Sequence, residues 1–264
     1  MESLGTLLFE IRDHVAYITL NRPEAANAMN LDLARELDQV ALECEEGSKV
    51  RAVLLTGAGK MFCGGGDIKA FAAQEPAHLP AYLKRVTLYL HQAIRRFARM
   101  RAPVVMAVNG SAGGGGMSLA CAGDLVLAGE SAKFTMAYTR IGLTPDGSST
   151  YYLPRIIGLR RTMELALTNR TLTAREAETL GLVTRVVPDD QLIAQAEALG
   201  NELAHGPTQA YGGVKRLLYS SLNTPLQEQM EFESEWIADM ARTWDAQEGM
   251  AAFVGKRAPK FNGQ

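Results

Sequence analysis

The chain has 264 residues, of which 47% are hydrophobic and 21% are charged, a balance typical of a globular protein that buries a substantial core. Its 27 Lys and Arg residues against 29 Asp and Glu residues give a net charge of −2, which argues against nucleic-acid binding. The three cysteines are scattered without metal-ligand spacing, so the composition excludes a disulfide scaffold and predicts no metal site.

The first 57 residues predict two paired strands, a helix and a third strand. Strands are expected at 7–11 and 15–20, around a turn at Asp13 and His14, because apolar residues alternate in the second strand. Asn30 is placed to cap a helix whose apolar residues at 33, 37, 40, 41 and 44 share one face. The apolar run at 50–57 is typical of a strand covered on both faces.

The middle of the chain continues the alternation of strands and helices. A helix is predicted from about residue 80 to residue 99, followed by strands at 103–110 and 124–129. Residues 102–123 carry no charge and are long enough to cross a bilayer. Six glycines and one proline interrupt this segment, however, and would leave backbone groups unsatisfied in lipid. We therefore expect a buried strand, a glycine turn and a buried helix, in a parallel α/β arrangement with crossover helices.

Beyond about residue 188 only helical patterns remain. Apolar residues at 192, 196, 199 and 203 form one stripe, which Gly206 and Pro207 end. A second stripe runs from residue 226 through 230, 237 and 240 to Trp244. These patterns predict an α/β core over 1–200 and a helical region over 201–264, which docks on its own core or on a neighbouring subunit.

Two glycine clusters, Gly64 to Gly66 and Gly113 to Gly116, each follow a predicted buried strand. Without a Cβ, their peptide N–H groups can approach a ligand closely, and those at a helix N-terminus carry partial positive charge. Two converging loops could present two donors to one oxygen, as an oxyanion hole does. Neither cluster matches a phosphate-binding or dinucleotide-binding pattern, and the simpler alternative is that the glycines only permit tight turns.

The segment FCGGGDIK at 62–69, followed by PVVMAVNGSAGGGGMSLACAGDLVLAGESAKF at 103–134, resembles the crotonase superfamily, the enoyl-CoA hydratase/isomerase family. The likeness extends from LNRPEAANAMN at 20–30 through IGLTPDGSSTYYLPRIIG at 141–158 to EGMAAFVGKRAPKF at 248–261. It is strongest to the enoyl-CoA isomerases of phenylacetate-type degradation, with some resemblance to 4-chlorobenzoyl-CoA dehalogenase.

The resemblance implies an α/β fold, a spiral of ββα units with a C-terminal helical trimerisation region. It also implies an acyl-CoA thioester substrate, no cofactor beyond the coenzyme A moiety of that substrate, and a homotrimer or dimer of trimers. No nucleic-acid or membrane partner is expected. The N-terminal segment lacks the pattern of a signal peptide and the cysteines are free, so a cytoplasmic location is expected.

The resemblance further implies the positions of the binding groups. The backbone N–H groups of Gly66 and Gly115 would hold the thioester oxygen as it becomes an enolate. The residues along coenzyme A would be Glu24, Ala25, Ala26, Gly66, Asp67, Ile68, Phe253 and Lys256. The last two would reach the nucleotide end, often across a subunit boundary, although a C-terminal lysine is also commonly just solvated.

The carboxylates indicate which reaction to expect. Hydratases of this family use two glutamates to deliver water, and this chain has Ser118 and Tyr138 in their places. Neither hydroxyl can accept a proton from water as a carboxylate does near neutral pH. Two-glutamate hydration is therefore not expected, and both residues are expected to shape the acyl pocket.

Asp146 remains as the candidate base, because isomerase branches of the family carry an aspartate at this place. One carboxylate could remove a proton at one carbon and return it at another, which shifts a double bond. The alternative from spacing alone is that Pro-Asp-Gly at 145–147 is only a turn.

Other activities stay open at this point. His91 lies where the dehalogenase branch carries a histidine base, and with Asp146 as nucleophile it would support dehalogenation of an aryl-CoA. Tyr138 stands where that branch has tryptophan, and His91 could equally be a helix-surface residue. A thioesterase using Asp146, or a non-catalytic acyl-CoA-binding protein, are further alternatives.

Overall fold

The computed structural model describes residues 2–47 and 49–264, and in these it places eleven strands in two sheets, with helices on both sides of the larger sheet. The strands are β1 (Glu2–Ser3), β2 (Leu7–Arg12), β3 (Val15–Leu20), β4 (Ala52–Gly57), β5 (Met61–Cys63), β6 (Val104–Val108), β7 (Ser111–Gly113), β8 (Leu125–Gly129), β9 (Lys133–Thr135), β10 (Leu172–Thr173) and β11 (Arg185–Val187).

The helices are α1 (Leu31–Glu46), α2 (Ile68–Ala72), α3 (Leu79–Arg99), α4 (Gly115–Cys121), α5 (Ser149–Ile156), α6 (Leu159–Thr168), α7 (Ala174–Thr179), α8 (Leu192–Ala204), α9 (Thr208–Ser221), α10 (Leu226–Met240) and α11 (Trp244–Val254). Short 3₁₀ turns cover Pro23–Ala25, Tyr138–Ile141 and Asp189–Gln191.

The larger sheet has the order β1-β2-β3-β4-β6-β8-β11. β2 and β3 form the predicted hairpin, and Asp13 and His14 both adopt left-handed φ values of 49° and 66°, as a tight two-residue hairpin turn requires. From β3 onward every neighbouring pair is parallel, which confirms the predicted α/β arrangement.

The local patterns explain the main helices. The Asn30 side chain accepts a hydrogen bond of 2.9 Å from the Leu33 N–H and begins α1, as expected. The apolar face of α1 is buried against α3 on one side of the larger sheet. On the other side, α8 packs its buried residues against β4, β6 and β8. The boundary placed at residue 200 therefore lies inside α8, a helix that belongs to the core.

The smaller sheet, with the order β10-β9-β7-β5, was not predicted. β5 pairs with β7 in parallel, with Cys63 opposite Ala112. Each glycine cluster directly follows or ends one of these two strands. Because β5 and β7 are parallel, both clusters lie at the same end of the smaller sheet.

The uncharged segment 102–123 folds as expected into a buried strand, a turn and a buried helix, although the turn includes the short strand β7. In the residues that the structure describes, no helix combines the length and apolar character that crossing a bilayer requires.

One prediction for the C-terminal region is wrong. The stripe from residue 226 to Trp244 is not one helix, because α10 ends at Met240 and Trp244 begins α11. The Thr243 side chain accepts a hydrogen bond of 3.1 Å from the Ala246 N–H and so caps the new helix.

A buried ion pair attaches the C-terminal helices to the core. Lys215 on α9 contacts Asp124 at 2.6 Å and donates to the carbonyl oxygens of Phe97 and Ala102 at 2.8 and 3.1 Å. Burial lowers the pKa of Lys215, although attraction to Asp124 opposes this effect. An amine held by three acceptors is satisfied, whereas either charge alone would be costly.

Lys215→Met is expected to lower the free energy of unfolding by about 3–5 kcal/mol, because it leaves Asp124 as an unpaired buried charge. Urea denaturation measures this change. Adding Asp124→Asn to the variant should recover part of the loss, and the exposed control Lys60→Met should stay within about 0.5 kcal/mol of the parent. Equal stability of Lys215→Met and Lys60→Met would contradict the role of the pair.

Candidate active site

The two glycine clusters pack directly against each other. A Cβ at Gly65 would lie 2.7 Å from the carbonyl oxygen of Gly113, and Gly65 itself has a φ of +105°. Real side chains do not tolerate such a contact or readily adopt this φ, so glycine is required here. The expectation that the two loops converge is met in the structure.

The peptide groups of Gly66 and Gly115 are available as donors. Met29 forms a β-bridge with Gly66. In this bridge the Met29 N–H donates to the Gly65 carbonyl at 2.6 Å, and the Asp67 N–H donates to the Met29 carbonyl at 3.0 Å. Gly115 is the first residue of α4, where an N–H has no partner within the helix. Among the described residues, neither the Gly66 N–H nor the Gly115 N–H donates a hydrogen bond.

Both glycines line one cavity of about 440 Å³. Apolar side chains from α3 and from the loop after the second 3₁₀ turn supply much of its wall. The residues that line it are Met29, Gly64, Gly65, Gly66, Ile68, Phe71, Leu83, Lys84, Val86, Thr87, Leu90, Gly114, Gly115, Ala137, Tyr138, Arg140, Ile141, Leu143, Thr144 and Asp146. Asp146 is the only acidic residue in this lining within the described part of the chain.

Asp146 is connected to Tyr138 and Ser118, the two residues that the family resemblance implies stand in the places of the hydratase glutamates. The Tyr138 hydroxyl donates a short hydrogen bond to Oδ1 of Asp146. The Ser118 hydroxyl lies 2.8 Å from the Tyr138 hydroxyl and 3.3 Å from the carbonyl oxygen of Gly114. Ser118 is fully buried and stands behind Tyr138, so Tyr138 lines the cavity as expected and Ser118 supports it instead.

The direction of these hydrogen bonds follows from their chemistry. Burial, and then the adjacent Asp146 carboxylate, raise the pKa of the Tyr138 hydroxyl well above its ordinary value, so the phenol stays protonated near neutral pH. An ionised carboxylate only accepts hydrogen bonds, so the single hydroxyl hydrogen of Tyr138 goes to Asp146. In its contact with Tyr138, Ser118 is then the donor.

The turn that carries Asp146 is fixed from several sides. The Asp146 carbonyl accepts hydrogen bonds from the N–H and hydroxyl of Ser149 at 3.2 and 2.9 Å. Gly147 has a φ of +57°, and a Cβ there would lie 2.7 Å from the Ser118 Cβ. A turn is therefore present at 146–149, one residue beyond the start of the predicted Pro-Asp-Gly turn, and it packs against Ser118.

His91 supports the same turn from outside the cavity. Its Nε2 accepts a hydrogen bond of 3.1 Å from the Gly147 N–H, and its side chain is exposed on α3. The structure does not bring His91 into the cavity lining. The ring nitrogen that could act as a base accepts a backbone hydrogen bond instead, which fits a positioning role better than a catalytic one.

The residues implied for the near part of coenzyme A border the first glycine cluster. Glu24 and Ala25 lie in the first 3₁₀ turn, and the Ala26 carbonyl accepts a hydrogen bond of 2.8 Å from the Gly64 N–H. Ile68 lines the cavity and is half exposed. Within the described residues Gly66 and Ile68 line the cavity, whereas Glu24, Ala25 and Ala26 do not.

The side chain of Asp67, the residue after Gly66, has two partners within the protein. Its carboxylate accepts hydrogen bonds from the Ala70 N–H at 3.0 Å and from Arg22 at 2.8 Å. Burial alone would raise the pKa of Asp67, but these two contacts outweigh it and hold the pKa below its usual value. Its side chain therefore caps α2, and its N–H and carbonyl are also paired, with the Met29 carbonyl and the Phe71 N–H.

Phe253 and Lys256 lie away from the cavity of their own chain. Phe253 is 85% exposed on α11, and Lys256 follows the end of that helix with a φ of 50°. Neither lines the cavity within the described residues. The sequence does not predict the Tyr138–Asp146 hydrogen bond. It does place the pocket walls within residues 71–89, and Leu83 and Val86 of α3 line the cavity, together with Leu90 just beyond that range.

The comparisons with known proteins agree with this geometry. The family model described as enoyl-CoA hydratase/isomerase matches residues 10–264. A 1,2-epoxyphenylacetyl-CoA isomerase of Escherichia coli K12 is 36% identical over 258 residues, covering 98% of both chains. A "probable enoyl-CoA hydratase" of Rhodobacter capsulatus is 40% identical over 262 residues, covering 99% of this chain and all of the relative.

Solved structures show the same fold. The crystal structure of an enoyl-CoA hydratase from Bacillus anthracis matches with a TM-score of 0.92 and 31% identity, covering 98% of this chain and all of that one. An enoyl-CoA hydratase from Mycobacterium smegmatis matches with a TM-score of 0.89 and 30% identity, covering 97% and 98% of the two chains. The chain therefore belongs to the enoyl-CoA hydratase/isomerase family, and it has the crotonase fold with C-terminal helices.

Proposed function

We propose that this protein is an enoyl-CoA isomerase that moves a carbon–carbon double bond in an acyl-CoA thioester. The observation that carries the proposal concerns the described residues: Asp146 is the single carboxylate in a cavity that two glycine N–H groups without a hydrogen-bond partner also line. A double-bond shift needs one group that can both accept and return a proton. Hydration in this family needs two carboxylates, and hydroxyls occupy both of their places here.

The reaction is written for a 3-enoyl thioester. Asp146 removes a proton from C2, and the electron pair of that C–H bond moves onto the thioester oxygen to give a dienolate. The Gly66 and Gly115 N–H groups stabilise the negative oxygen by hydrogen bonds. The protonated Asp146 then returns the proton to C4, so the double bond ends between C2 and C3 and no atom is gained or lost.

The relatives carry two kinds of name, isomerase and hydratase, so family membership alone does not choose between them. The side chains of this chain favour the isomerase. A dehalogenase would need a histidine base in the cavity, whereas His91 is held outside it by the Gly147 N–H. No observation specifically favours a thioesterase or a non-catalytic binding protein.

The reaction type can be tested with a panel of enoyl-, dienoyl- and haloaryl-CoA thioesters in heavy-oxygen water, read by mass spectrometry. An enoyl thioester such as cis-3-hexenoyl-CoA is expected to isomerise with unchanged mass. Asp146→Asn should reduce this turnover about a hundredfold or more, because it removes the general base. The exposed control Asp190→Asn should turn over at the parent rate.

Two results would overturn the proposal. The first is full turnover by Asp146→Asn. The second is a product that carries oxygen from the solvent, either as an added water or in place of a halogen or of coenzyme A.

The oxyanion hole can be tested with Gly115→Ala. A Cβ at this position would lie 3.9 Å from the Tyr138 hydroxyl and 4.0 Å from Gly65, which are ordinary contacts, so the variant should fold. The methyl group would crowd the donor inside the cavity and lower kcat/KM by about 10- to 100-fold, less than complete loss of a donor. Gly200→Ala on α8, with its Cβ 3.5 Å from Val15, is the matched control. Parent-like kinetics of Gly115→Ala would contradict the assignment.

We also propose that the chain assembles as a homotrimer or a dimer of trimers through its C-terminal helices. These helices expose large apolar side chains in the single chain, a feature typical of protein interfaces. The most exposed of them are Leu218, Leu226, Ile237, Phe253 and Val254.

Light scattering coupled to size-exclusion chromatography is expected to give the mass of three or six chains. Ile237→Glu combined with Leu226→Glu should give a smaller species, because both side chains, 72% and 76% exposed in one chain, would then carry charge into the interface. Glu235→Gln on the same helix is the control. A monomeric parent protein would contradict the assembly.

A further inference from the structure

The two oxygens of the Asp146 carboxylate have different surroundings. Oδ1 accepts the hydroxyl hydrogen of Tyr138. Oδ2 accepts no hydrogen bond from any residue that the structure describes. One oxygen is thus fixed to the protein, and the other is left for a proton of the substrate.

We propose that Tyr138 is a positioning residue, which anchors Oδ1 of Asp146 and leaves Oδ2 as the proton acceptor. This inference rests on the proposed function, because it requires Asp146 to be the base. Tyr138 itself neither removes nor returns the substrate proton. Its hydroxyl acts only through Asp146.

Hydrogen-bond physics supports this role. A hydrogen bond to one oxygen of a carboxylate restricts its rotation, so the Tyr138 hydroxyl holds the Asp146 side chain in one orientation. Ser118 donates to the oxygen of Tyr138, which polarises the phenol and strengthens its own donation to Asp146. Because Tyr138 is buried and stays protonated, this donor persists over the working pH range.

No other charged group makes a comparable contact. Lys84 on α3 and Arg140 in the second 3₁₀ turn line the same cavity, and His91 on α3 reaches only the Gly147 N–H. From α4 the facing group is the neutral Ser118, and Ser149 at the start of α5 contacts the Asp146 carbonyl. Within the described chain Asp146 forms no ion pair, so Tyr138 is the direct influence on its carboxylate.

The two positions that carry glutamates in hydratases therefore have a different use here. The hydroxyl groups of Ser118 and Tyr138 form a hydrogen-bonded chain that ends at the carboxylate of Asp146. They do not carry protons to or from water. They hold the carboxylate of Asp146 in place for a reaction that needs one base.

The test is the steady-state kinetics of cis-3-hexenoyl-CoA isomerisation. In Tyr138→Phe, kcat is expected to fall about 10- to 100-fold while KM changes little, because the carboxylate loses the contact that orients it. Ser118→Ala should lower kcat by a smaller factor, again with little change in KM.

Tyr151→Phe is the matched control, since this tyrosine lies outside the cavity lining and its ring contacts Arg155 instead. Its kcat and KM should equal those of the parent protein. A parent-like kcat in Tyr138→Phe overturns the inference, even when Asp146→Asn is inactive and the proposed function stands. Should Tyr138→Phe fail to fold, a parent-like kcat in Ser118→Ala overturns it. Full activity of Asp146→Asn instead overturns the proposed function.

Discussion

The parallel pairing of β5 with β7 is the constraint on which the site depends. Both strands are three residues long and lead directly into the glycine clusters, so two loops leave the sheet at one edge. The loops pack at a distance that a Cβ at Gly65 would not allow. Two peptide N–H groups can then border one cavity, and donors fixed by the backbone need no rearrangement when charge develops on a substrate oxygen.

The opposite part of the cavity is organised around one negative charge. Ser118 and Tyr138 carry neutral hydroxyl groups that hydrogen-bond to each other, and this hydrogen-bonded chain ends at Asp146. No second carboxylate lines the cavity in the described residues, so Asp146 is the one acidic side chain that can reach a bound molecule there. His91 completes the arrangement from outside by fixing the backbone after Asp146.

The periodic elements could be predicted from the sequence, and the contacts between distant loops could not. The hairpin turn, the Asn30 cap and the buried strands of the larger sheet follow from local patterns. The strands of the smaller sheet have two or three residues, too few for alternation to be recognised. The Tyr138–Asp146 contact depends on left-handed backbone at Ala137 and Gly147, which tertiary packing imposes. The family resemblance supplied the site residues, and the structure supplied their connections.

The central claim is that one carboxylate transfers a proton between two carbons of the same substrate. It is tested most directly with cis-3-hexenoyl-CoA that carries deuterium at C2, incubated in ordinary water. Transfer by Asp146 predicts 2-hexenoyl-CoA in which a measurable fraction of the molecules carries deuterium at C4. A product that contains an added hydroxyl group, or an unshifted double bond after incubation with folded protein, would contradict the account.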